Sequence, residues 1–191
     1  MIPVLEVANG LYGAWRLAWL DASGMQYFNR TVEGFWRSFF AAVLIAPPLA
    51  VLLGLRFAGG GIEAPLWRFA SIELISYIVL WVAFPVIMLG VTRAMDRTAN
   101  YIPYIVAYNW ASVWQNVLFL PFAIMVELEL FGGGLRNGLL VALMIVVLAY
   151  TFVVTRTALQ VGAGAATLLV AIDLVISVFI NGFSESLIRV G

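Results

Sequence analysis

Five apolar stretches, near residues 38–57, 66–92, 102–126, 135–156 and 164–187, dominate this sequence. Each is long enough to cross a hydrocarbon core of about 30 Å, which takes roughly 20 helical residues. The chain has 191 residues, 64% of them hydrophobic and only 10% charged, where soluble domains carry about 25% charged residues. Its mean hydropathy is +1.04. Too few polar side chains exist to coat a water-facing surface. In lipid each span must satisfy its own backbone, which a helix does. The sequence therefore predicts an all-α, polytopic transmembrane helix bundle of about five spans over 38–191.

Gly59-Gly60-Gly61 with Pro65, Arg93 to Arg97 with Pro103, Gly132-Gly133-Gly134, and Gly162-Ala163-Gly164 mark the breaks between spans. The last break is so tight that the fourth and fifth spans form a hairpin. The loops are short, so any function sits in the bundle or on its rim.

Residues 1–37 read differently. They lack the basic start of a signal peptide, and Glu6 and Asn9 interrupt the apolar run, so a cleaved leader is not expected. As a helix, the first stretch places Glu6, Asn9, Gly13 and Arg16 on one narrow face, with Leu5, Leu11, Trp15 and Trp19 elsewhere. After a break at residues 21–24, Gln26, Asn29, Arg30, Glu33 and Arg37 recur at helical spacing opposite Met25, Phe28, Val32, Phe35 and Phe39. The pattern predicts one or two amphipathic helices in the membrane interface, serving as a surface anchor or as a docking helix for a partner.

The ten basic residues are all arginine and balance ten carboxylates, so no net field recruits nucleic acid. Cysteine, histidine and lysine are all missing. That removes thiol, imidazole and Schiff-base chemistry, and no enzyme, cofactor or metal site is expected. Arginines 16, 30, 37, 93, 97 and 156 fall on one side of an odd number of crossings and arginines 56, 68, 136 and 189 on the other. The bias puts the amino terminus inside. Exclusive use of arginine suggests a GC-rich bacterial genome, hence a bacterial cytoplasmic (inner) membrane.

Within the spans, Pro47, Pro48, Pro85 and Pro121 free backbone carbonyls and kink helices. They mark either hinges and a broken-helix binding site or simply packing shape. Glu73 and Asp173 are the carboxylates inside apolar spans, where ionised groups are costly and pair or line a path. The third span offers them partners: Asn109, Ser112 and Asn116 share one helix face, and Tyr101, Tyr104, Tyr108 and Gln115 share the adjoining one. By depth, Glu73, Asn109, Ser112, Gln115, Asn116 and Asp173 form one polar seam through spans two, three and five. The seam is either a proton or substrate path or a set of interhelical hydrogen bonds. No third charge within the core is expected to complete an ion pair.

Glu127 and Glu129 read as a solvated loop rather than a cation site, and the triple glycines lack the context of a phosphate loop. Trp15, Trp19, Trp36, Trp67 and Tyr101 suit the headgroup layer. Trp81, Trp110 and Trp114 lie deeper, to fill the bundle, contact a lipid or quinone, or meet another subunit.

An interfacial amino terminus followed by five close-set spans, an inside amino terminus and a minimal tail resembles the Yip-like group of small five-helix membrane proteins. The segments Phe35-Trp36-Arg37-Ser38-Phe39 and Tyr108-Asn109-Trp110 are also similar to uncharacterised bacterial membrane proteins. The resemblance implies bilayer or partner organisation, without the long hydrophilic amino-terminal region common in that group, and it carries over no catalytic residue. The sequence thus favours a non-catalytic accessory, assembly or organising subunit that binds lipids, other membrane proteins or itself. The alternative is a small proton-coupled transporter or channel built on Glu73 and Asp173.

Overall fold

A computed structural model describes residues 2–189, and among them every regular element is helical. Helix α1 (Val4–Ala18) leads through a short 3-10 helix (Ala22–Tyr27) to α2 (Val32–Ser38), which continues almost without interruption into α3 (Phe40–Ala58). Then come α4 (Leu66–Ala94), a 3-10 turn (Thr98–Asn100), α5 (Tyr101–Glu127), α6 (Gly133–Leu159) and α7 (Ala163–Arg189). The five long helices begin and end within a few residues of the expected spans.

Four of these segments are long and apolar enough to cross a membrane: residues 32–58, α4, α6 and α7, with 27 to 29 residues each. At about 1.5 Å per residue they are roughly 40 Å long, longer than a hydrocarbon core by about 10 Å. Their outer faces carry bare apolar side chains such as Val86, Val175 and Phe179, the last 72% exposed. Such a surface is stable in lipid and not in water. Helix α5 is equally long but is not among those four, its apolar run being interrupted by Tyr104, Tyr108, Asn109, Ser112, Gln115 and Asn116. It tolerates them because it is enclosed: residues 104–107 and 109–111 are buried.

Helix packing explains that enclosure. Helix α5 lies against α3 and α6 and is further covered by α1 and α2, while α4 lies against α7, and α6 joins α7 through the tight turn at Gln160. The consecutive helices α3 and α4 do not form a close pair. Side chains bridge them instead: the Tyr77 hydroxyl donates to the Ala42 carbonyl at 2.7 Å.

The amino-terminal segment differs from its expected form in two ways. The single amphipathic helix expected from residue 25 onward is interrupted at Phe28–Thr31. Asn29 Oδ1 accepts from the Thr31 amide at 3.2 Å, and Thr31 then caps α2 by accepting from the Gly34 amide at 3.1 Å. These local side-chain bonds compete with a continuous helix and start a new one.

The faces of α1 are also assigned differently. Its polar residues are turned onto the rest of this segment: Asn29 donates to Glu6 at 2.9 Å, Arg37 to the other Glu6 oxygen at 2.6 Å, and Arg16 to Asp21 and Tyr27. Its buried face is small, formed by Gly10, Gly13, Ala14 and Leu17, while Leu5, Trp15 and Trp19 are exposed. Gly10 lets α1 lie directly on the Trp110 ring, since a Cβ there would sit 2.5 Å from Trp110 Cε2. Asp21 holds the turn that follows α1; hydrogen bonds from Ser23 and then from Arg16 keep its carboxyl below the usual carboxylate range.

Candidate functional site

The gap between the α3–α5 pair and the α4–α7 pair is a cavity of about 360 Å³. Its walls carry all six residues of the sequence-predicted seam: Glu73 from α4, Asn109, Ser112, Gln115 and Asn116 from α5, and Asp173 from α7. Ser76, Tyr77, Trp81 and Phe84 of α4 line it as well, with Ser177 and Asn181 of α7 and an apolar floor of Ile45, Leu49, Leu52 and Leu53 from α3. The periodicity accounts for this convergence. Residues 109, 112 and 116 recur at three- and four-residue intervals along α5, as do 73, 76, 77, 80, 81 and 84 along α4.

The seam residues share one space without forming one hydrogen-bonded chain. Toward the middle of the bundle the Tyr108 hydroxyl donates to Asp173 Oδ1 at 2.9 Å, and the Tyr108 ring stacks on Phe84 with centroids 4.3 Å apart. Asn109 donates to Ser38 Oγ at 2.9 Å, tying α5 to the end of α2, and Gln115 donates to Thr151 of α6 at 2.9 Å. Ser112 and Asn116 donate back to carbonyls one turn earlier on α5, at 3.0 and 2.8 Å.

Glu73 sits at the other end of the cavity, and here the expectation that no third charge enters the core is corrected. Arg56, near the end of α3, reaches Glu73 at 3.4 Å and also pairs with Glu185 of α7. Arg189 adds a second pairing to Glu185 at 3.2 Å. The span boundary placed Arg56 in the headgroup layer, but a guanidinium on a three-carbon stem bends inward as readily as outward when a buried carboxylate faces it. The network fastens α3 to both α4 and α7, neither of which packs closely against it.

Two of the deeper tryptophans are covered by the chain's own amino terminus. Trp110 is 2% exposed beneath Gly10, and Trp114 donates from its indole nitrogen to the Leu11 carbonyl at 2.8 Å while its ring meets Trp15. Trp81 instead lines the cavity, edge-on to Tyr77. On the α1 side a second, mostly apolar groove of about 460 Å³ runs between Trp15, Trp114, Val146 and Tyr150. Glu127 and Glu129 are exposed, and among the described residues no group of three metal-ligating side chains comes together. Pro85 lies buried in the cavity wall, while Pro47 and Pro48 are exposed on α3.

Compared with known protein families, curated proteins and solved structures, the chain matches none.

Proposed function

We propose that the cavity is a membrane-embedded binding site for a small polar solute and that the protein is a small transporter or channel built around it. The observation that carries this reading is the convergence of Glu73, Asp173 and the polar face of α5 on one space of about 360 Å³ between two helix pairs. That volume lies in the range of small-molecule sites, and its lining of apolar walls with a few placed polar groups has their character. Hydrogen bonding between helices alone would favour closely packed helices and direct amide-to-acid bonds. Instead Glu73 and Asp173 each bond to separate partners and leave a space between them.

The helix pairs on either side of the cavity are joined mainly by side chains at its two levels, so a modest shift of α4 and α7 against α3 and α5 would change access to it. The amino-terminal segment, with Trp15, Trp19 and Trp36 outward, serves as the interfacial platform of a protein whose amino terminus is inside.

Osmotic swelling of proteoliposomes against small neutral, cationic and anionic solutes tests this. One class is expected to cross faster than in protein-free vesicles, with Glu73→Gln and Asp173→Asn each removing the gain. Equal rates for every class with and without protein would overturn it.

The second reading is an accessory or organising subunit, as the Yip-like resemblance implies. The apolar groove beside Trp15 and Trp114 favours it, since a partner helix or an acyl chain would suit such a surface. Isolation from native membranes in mild detergent is then expected to yield a larger complex, and a lone monomer would count against it.

A further inference from the structure

We infer that the solute taken by this cavity is a small organic cation, a protonated or quaternary amine; the inference rests on the solute-site reading above and adds its chemical class. Four observations converge on it.

The first is charge. Two carboxylates, Glu73 and Asp173, line the cavity, and among the described residues its lining contains no arginine; the chain has no lysine or histidine. Arg56 stands beside the lining, committed to Glu73 and Glu185 together.

The second is how the carboxylates are served. Glu73 is answered by Arg56, but Asp173 meets a neutral phenol at Oδ1, and no described residue donates to Oδ2. A carboxylate in a membrane span with one oxygen uncommitted is the place where an arriving cation gains most.

The third is the balance of donors and acceptors. The hydroxyls of Tyr77, Tyr108 and Ser112 and the amides of Asn109, Gln115 and Asn116 all donate to other groups of the protein. The three hydroxyls keep only oxygen lone pairs for a ligand, while each amide keeps one N–H and its carbonyl oxygen. Such a lining receives the N–H groups or diffuse positive charge of a ligand through its hydroxyl and amide oxygens, which outnumber the three spare N–H groups.

The fourth is aromatic. Tyr77 and Trp81 contribute rings from α4, while the Phe84 and Tyr108 rings, stacked on each other, close the end beside Asp173. Ring faces with one nearby carboxylate hold ammonium groups by quadrupole and charge together.

The test is equilibrium binding of radiolabelled tetramethylammonium to the purified, full-length protein, with pivalate and tert-butanol as anionic and neutral counterparts of similar shape. Tetramethylammonium is expected to bind at one site per chain, and neither counterpart to displace it at equal concentration. Asp173→Asn keeps an oxygen for Tyr108 and is expected to weaken binding by about tenfold or more. Trp81→Leu is expected to weaken it by about fivefold. Should Asp173→Asn fail to fold, the ranking of the three probes and Trp81→Leu still decide.

Displacement by pivalate or tert-butanol as strong as by unlabelled tetramethylammonium, abolished by Ser112→Trp, would overturn the cation assignment and leave the solute cavity standing. Tetramethylammonium binding that neither Asp173→Asn nor Trp81→Leu alters would also overturn it. Absence of binding by all three probes would overturn the cation assignment and the solute site with it.

Discussion

The two sides of α5 are built on opposite plans. On one side Trp110 and Trp114 are pressed against Gly10, Leu11 and Trp15 of α1, with backbone close enough that a single added methyl would collide. On the other, Tyr108, Ser112 and Asn116 face a cavity whose opposite wall belongs to α4 and α7. The first side gains stability from close packing and the second forgoes it. Space between membrane helices sacrifices dispersion contacts, so a gap kept open by bridging side chains points to a role other than holding the bundle together.

Substitutions on the two sides should therefore separate. The largest expected effect is on the packed side. Gly24→Ala would drive a methyl into the Gly13 carbonyl, and Gly10→Val would drive one into the Trp110 ring. Each should lower stability by about 3 kcal/mol, the upper range for overpacking, as read by unfolding in micelles. Gly54→Ala and Gly90→Ala, where an added Cβ meets nothing within 4 Å, should be neutral or better. Equal effects at all four positions would erase the contrast.

The cavity side should respond through its ties. Arg56→Gln leaves Glu73, 16% exposed at its side chain, without its cation, while Glu185 keeps Arg189. A loss of about 1–2 kcal/mol is expected, discounted because Arg56 and Glu185 are each one-third exposed. The more telling readout is freer movement of α3 against α7, measured as broader distances between spin labels on their exposed faces.

Tyr108→Phe removes the hydroxyl that orients Asp173 and should cost about 1 kcal/mol, the usual worth of a hydrogen bond between membrane helices. It should change cation binding more than it changes stability. A larger stability loss than that of Gly10→Val would show that the cavity side holds the fold together after all.

The smallest effect concerns the turn after α1. Because Asp21 is held below its ordinary carboxylate range, its contribution is fully present above that ordinary value. It is lost as pH falls through the depressed one. Acid should therefore loosen the contact of residues 21–27 with α1 before it touches the spans, and Asp21→Asn should remove this pH dependence. Amide exchange across residues 16–27 at pH 2 to 6 is the measurement, and the same acid response in the variant would contradict it.

Much of this was legible in the residues. Polar groups inside apolar spans must find company, and the three- and four-residue spacing of Asn109, Ser112 and Asn116 already turned them one way. That is why the seam converges. Arg56 was not legible, because hydropathy assigns an arginine to the end of a span by its Cα, while its guanidinium goes where a carboxylate waits. Nor was the docking of α1. A helical wheel shows that Glu6 and Arg16 share a face but not that Arg37, Asn29 and Tyr27 would occupy it. The glycines at 10, 13 and 24 likewise show their purpose only once Trp110 and the facing backbone are in place.

The chain's natural lack of cysteine allows the contrast between the two sides of α5 to be measured directly. Single cysteines at Ser112, on the cavity side, and at Ala111, buried at 1% exposure, would be treated in proteoliposomes with a small, neutral, water-soluble thiol reagent. Ser112→Cys should react at a rate approaching that of an exposed loop control at Gly132→Cys, and Ala111→Cys should not react while the fold is intact. Protection of both positions alike would contradict a solute-accessible cavity on one side of α5.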